Sequence, residues 1–162
     1  MIKMKRIILL AGIITAILAV LVAKTSNAQT NNPRNTMKLN AGIITSKLDE
    51  TKEFYTNVLD FRVAFENEFY LLMHTPNQQG EISFLLPDHP TQHPLFKPAF
   101  NGKGMYLTIH VDNVDEEYAR IKTLNIPIVA ELRNEPWGDR HFAIVDPNGI
   151  GIDIVTYAKP KE

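Results

Sequence analysis

The chain has 162 residues, no cysteine, and 17 Lys and Arg against 18 Asp and Glu. That length serves one ordinary domain or two small modules sharing a core. The lack of cysteine excludes disulfides, thiol chemistry and thiolate metal sites, and the charge lacks the basic excess by which nucleic-acid binders neutralise phosphates.

Residues 1–28 stand apart. Lys3, Lys5 and Arg6 precede a charge-free, mostly apolar run from Ile7 to Ala23, and Ser26-Asn27-Ala28 follows with small residues at the spacing a signal peptidase prefers. The segment reads as an export signal cleaved after Ala28, giving a periplasmic or extracellular protein; its alternative is an uncleaved N-terminal membrane anchor, since the run is long for a signal and short for a span of about 20 residues. Without it the chain keeps 13 basic against 18 acidic residues, a formal charge of about −5. Residues 29–37 are polar and read as a flexible leader.

From Lys38 the alternation of apolar residues predicts a strand to Thr45, a helix over Asp49–Leu59, and short strands over Phe61–Phe65, Phe69–His74 and Glu81–Leu86. Residues 87–104 carry four prolines with His89, His93 and two glycines, a linker composition in which both histidines read as exposed. Met105–Val111 then predicts a strand, Val114–Leu124 a helix capped by Asn113, and Ile126–Leu132 a strand. The last pair, Arg140–Val145 and Ile150–Tyr157, reads as a hairpin turning at Asp146-Pro147-Asn148-Gly149. Residues 38–86 and 105–158 thus repeat one βαβββ pattern, an α+β fold of two paired modules curving round a central cleft where a ligand would bind.

Within the last strand Ile152 and Ile154 share one face, while Asp153 lies on the other, beside Gly151 and Val155. A carboxylate in so apolar a strand should meet a cation, a donor or a water-filled cavity.

Two stretches carry a family resemblance. Leu39–Phe61, with Phe54-Tyr55, Val58-Leu59 and Phe61, resembles the opening strand and helix of the vicinal oxygen chelate superfamily, which includes glyoxalase I, bleomycin resistance proteins and extradiol dioxygenases. Pro136-Trp137-Gly138, Arg140, Phe142 and Asp146-Pro147-Asn148-Gly149 are similar to its closing hairpin. The resemblance covers about residues 38–158 and implies paired βαβββ modules, a homodimer, and in many members a divalent metal that stabilises a developing anion.

The metal-ligand positions that the resemblance implies fall here on Asn40, on Ser83 or Leu85, on Tyr106 and on Asp153. Asn and Tyr are poor ligands for Zn²⁺ or Fe²⁺, so the sequence points to a metal-free binder of a small organic molecule, similar to the bleomycin resistance branch, with no cofactor. Asn40, Tyr106, His110, Trp137, Arg140 and Asp153 are the candidate ligand-binding residues, with Trp137 to stack on a planar or cationic group and Arg140 to clamp an anionic one. Their structural alternatives are a Trp137 that closes the cavity mouth and an Arg140 paired with Asp139 or Asp146. The competing function is a metal-dependent lyase or dioxygenase whose site regroups around His110 and Asp153, joined by His74 or Glu81. A third reading is a filled cavity in a domain acting through a protein partner.

Overall fold

The computed structural model describes residues 38–158; the signal-like segment 1–28 and the leader 29–37 lie outside the described residues. Ten main elements run in the expected order: β1 (Ala41–Ile44), α1 (Leu48–Asn57), β2 (Arg62–Glu66), β3 (Tyr70–His74), β4 (Glu81–Leu85), then β5 (Tyr106–His110), α2 (Val114–Thr123), β6 (Ile128–Asn134), β7 (Arg140–Val145) and β8 (Gly151–Thr156). They form two four-stranded sheets, ordered β1-β4-β3-β2 and β5-β8-β7-β6. In each, the first strand pairs parallel with the last and the other pairings are antiparallel. The α+β architecture of two βαβββ halves is therefore the one observed.

Differences from the expected elements lie at their ends and have local causes. Helix α1 stops at Asn57, with Asp60 at φ 58°, the left-handed conformation that turns the chain into β2. Strand β6 begins only at Ile128, after Pro127, which has no N–H to give a ladder, and it runs on to Asn134 opposite Arg140. Within the linker a short 3-10 turn forms over Pro94–Phe96, capped by the His93 ring, which accepts from the Leu95 N–H at 3.2 Å. His89 departs from the exposed position expected of it: half-buried, it stacks on Phe69 at 3.9 Å between ring centroids.

The alternation read from the sequence sets the core. Leu71, Met73, Ile82 and Phe84 from the first sheet, and Phe142, Ile144, Ile152 and Ile154 from the second, are buried with Tyr55 and Ile121 of the helices in one apolar cluster. Tyr55 packs edge-on against Phe61 and Phe84, at 5.4 and 5.0 Å. Helix α2 starts where Asn113 accepts from the Glu116 N–H, as its sequence predicts.

The halves are joined by the β7–β8 turn of the second, which docks on α1 of the first. Asp146, 4% exposed, accepts from the N–H groups of Asn148 and Ile150, both at 2.8 Å, from the Asn148 amide at 3.0 Å and from the Tyr55 hydroxyl at 3.2 Å. The Asn148 side chain also donates to Thr51 and accepts from Thr45, and Lys47 donates to the Pro147 carbonyl. Burial first, and then the neighbouring Asp146 carboxylate, pushes the Tyr55 phenol far above its ordinary value, so it remains a donor across the whole working range. The turn residues that the sequence marks as a hairpin signal thus also fasten one half to the other.

Candidate functional site

The turn that docks on α1 also fixes the register of β7 on β8, with Val145 opposite Gly151 and Ala143 opposite Asp153. Because strand side chains alternate, His141 falls on the face of Asp153, away from buried Phe142 and Ile144. The carboxylate expected to need a partner finds it there: His141 Nδ1 donates to Asp153 Oδ1 at 2.6 Å, and Nε2 donates to Glu135 Oε1 at 2.8 Å. Each ring nitrogen faces a carboxylate oxygen, an arrangement that favours the doubly protonated ring. The bond to Asp153, reinforced by Glu135, holds the His141 pKa above its ordinary value against the opposing effect of burial. Hydrogen bonds from His141 and then Arg133 hold the Glu135 carboxyl below its own; the Arg133 Nε donates to it at 2.7 Å.

Around this cluster lies a cavity of about 230 Å³, lined also by Tyr106, Thr108, Trp137, Asp139 and Tyr157. Tyr106 and Thr108 come from β5, where Thr108 pairs with Asp153 and Tyr106 with Gly151. Trp137 is carried on the tight β6–β7 turn, closed by Glu135 N to Asp139 O at 2.8 Å and Gly138 N to Glu135 O at 2.9 Å. Gly138 stands at φ 108°, and a Cβ there would come within 2.8 Å of Ala158, so only glycine lets the turn lie against the end of β8. Asp139 completes the frame: one oxygen accepts from the Trp137 indole at 3.0 Å and the other from Ala158 N at 2.9 Å.

The six residues named from the sequence thus separate. Tyr106, Trp137 and Asp153 share this cavity. His110 lines a neighbouring cleft of about 820 Å³ between the halves, with its ring 5.1 Å from that of Tyr157. Asn40 belongs to the first half, where it accepts from the Ser83 hydroxyl at 3.1 Å. Arg140 is on the helix side of β7, opposite His141, and its guanidinium is bidentate to Asp115 at 2.7 and 2.8 Å and reaches Asn134. Its acidic partner is therefore Asp115 of α2, not Asp139 or Asp146, because residue 140 shares the face of Phe142 and the first turn of α2 lies over that face.

His141 and Glu135 were missed as site residues. The signal for His141 was present, since a hairpin turning at residues 146–149 puts residues 141 and 153 on one face. Glu135 had none, because its place depends on how the β6–β7 turn folds back.

A family model described as the Glyoxalase/Bleomycin resistance protein/Dioxygenase superfamily matches residues 39–154. The chain belongs to this superfamily. Among solved structures it is similar to an antibiotic binding protein from Streptomyces sp. CB03234, with a TM-score of 0.62 at 19% identity over 77% of this chain and 98% of that one. A bleomycin resistance determinant encoded on the transposon Tn5 gives 0.57 at 19% identity, covering 76% and 100%. Lactoylglutathione lyase from Agrobacterium tumefaciens gives 0.60 at 16% identity, covering 75% and 94%. At these identities the likeness is one of fold. Curated proteins yield no match.

Many members of the superfamily hold a divalent metal, and the donors at the corresponding positions do not fit one. Asn40 is bonded to Ser83, Tyr106 offers a phenol where Zn²⁺ and Fe²⁺ sites favour imidazole or carboxylate, and Asp153 is engaged by His141. Among the described residues no group of three or more His, Cys, Asp and Glu is arranged to hold a metal ion. Of the residues of a regrouped site, Glu81 lines the cleft between the halves with His110, whereas Asp153 lines the separate Trp137 cavity and His74 lines neither.

Proposed function

We propose that the chain binds a small organic molecule in the cavity of its second half and sequesters it without turnover and without a resident metal. The observation that carries this reading is the Trp137 frame. A 68% exposed indole is held by its own hydrogen bond and by a turn anchored to β8, facing Tyr106 and the Asp153–His141–Glu135 cluster across one cavity. Fixing a large aromatic face in solvent has a cost, and a preformed stacking surface recovers it when a ligand arrives. The likeness to an antibiotic binding protein and to a bleomycin resistance determinant supports the same class of ligand. Turnover by His141 is disfavoured, because both ring nitrogens are already committed to carboxylates.

Two further parts of the proposal are export, from the N-terminal sequence, and a homodimer. Strands β1 and β5 each end a sheet, which supports pairing between copies. The chain has one tryptophan, so selectively excited tryptophan emission reports this cavity. Screening a library of small organic molecules should give saturable changes in Trp137 emission with a matching rise in melting temperature. A stoichiometric divalent ion in the purified protein, lost on His110→Ala, would establish the metal-dependent lyase or dioxygenase instead, and silence of the whole library would end the binding reading. Sedimentation equilibrium decides the dimer.

A further inference from the structure

The lining of the Trp137 cavity is uneven in charge. Tyr106, Trp137 and Tyr157 leave 72, 68 and 50% of their surface exposed there. Between them stand the carboxylates of Glu135, Asp139 and Asp153. The cation lining the cavity is His141, with both N–H groups spent on Asp153 and Glu135. The guanidinium groups nearest in sequence are spent as well, Arg133 on Glu135 and Arg140 on Asp115 across the sheet. An anionic ligand would meet carboxylates with no free cation among the described lining residues to clamp it, and a neutral one would gain stacking alone.

Resting on the binding function proposed above, we infer that the cavity receives the quaternary ammonium head of a small organic cation. A quaternary ammonium offers no N–H donors. It needs none at the Asp139 oxygens, which accept from Trp137 and Ala158, or at Asp153 Oδ1 and Glu135 Oε1, which accept from His141 and Arg133. It gains from the aromatic faces, whose negative quadrupoles attract a diffuse cation, and from the negative field of the carboxylates behind them. The volume of about 230 Å³ suits such a head, being that of about eight waters at about 30 Å³ each.

The test compares choline with its neutral isostere 3,3-dimethylbutan-1-ol and its anionic analogue 3,3-dimethylbutanoate, by titration of Trp137 emission in the full chain. Choline is expected to saturate with a Kd at least tenfold below that of the neutral isostere, and the anion to leave the emission unchanged. Tyr106→Leu and Tyr157→Leu, both at exposed positions, should each weaken choline about five- to tenfold with the melting temperature kept. Equal binding of the neutral isostere, or choline affinity unmoved in both variants, overturns the cation assignment. So does choline silence in a protein that still binds a library compound, an outcome that leaves the binding function standing; silence toward choline and library alike removes both.

Discussion

The β3–β4 and β7–β8 turns occupy the same place in the two halves and do opposite things. Asp146-Pro147-Asn148-Gly149 is buried against α1 through a carboxylate that accepts four hydrogen bonds, one of them from Tyr55 across the halves. Thr75-Pro76-Asn77-Gln78-Gln79-Gly80 closes on itself. The Thr75 hydroxyl donates to Asn77 and accepts from Gly80 N, and its residues line open clefts between the halves, one of them of about 470 Å³ beside Glu117 and Arg120. The helices differ to match, with Tyr55 in α1 and buried Ile121 at the corresponding place in α2. A repeated plan thus fastens one junction through its turn with a buried polar network, while at the other the turn stays apart and Arg120 of α2 reaches the Val58 carbonyl instead. The difference between the turns rests on a carboxylate and a phenol against a hydroxyl and an alkyl chain.

Substitution separates the two turns most sharply. Asp146→Ala leaves several buried donors without an acceptor and should cost about 3–5 kcal/mol in urea unfolding. Thr75→Ala, whose partners reach water, should cost less than about 1 kcal/mol. Similar losses in both would show that the second turn bears no special load. Tyr55→Phe removes the hydrogen bond between halves with its ring packing intact, and about 1–2 kcal/mol of destabilisation is expected by the same measurement.

A smaller effect contrasts the site with the neutral Asn40–Ser83 pair of the first half. The His141 pKa is raised, so its contribution to stability is fully present below its ordinary value near 6.5 and is lost as pH rises through the raised value. Glu135 is lowered, so its contribution is present above the ordinary carboxyl range and lost as pH falls through the lowered value. The cluster is strongest between the two. The melting-temperature difference between wild type and His141→Asn should shrink as the solution is made alkaline, and the His141 ring protons should titrate above 6.5 by NMR; a His141 that titrates below 6.5 contradicts the doubly donating ring. Least of all, Arg140→Ala should leave ligand affinity unchanged, because that side chain faces Asp115 behind the sheet.

The site was legible to the extent that it depended on local repeats. Asp153 could be marked because a carboxylate among isoleucines demands a partner, and Trp137 because an aromatic face on that loop can stack on a planar or cationic group. Arg140 was grouped with them by nearness along the chain, and one residue of strand alternation carries it to the other side of the sheet. His110 and Asn40 share an inward parity with the site, but parity within a strand does not bring different strands to one cavity.

By itself the sequence determined the two βαβββ halves, their core faces and the turn between β7 and β8, because strand period, helix capping and turn chemistry act over a few neighbouring residues. Only the tertiary structure decided which carboxylate each cation takes, that His141 stands between Asp153 and Glu135, and that Tyr55 holds the turn of the other half. Those contacts join residues up to 91 positions apart. Their geometry follows from how sheets and helices pack, which no local pattern encodes.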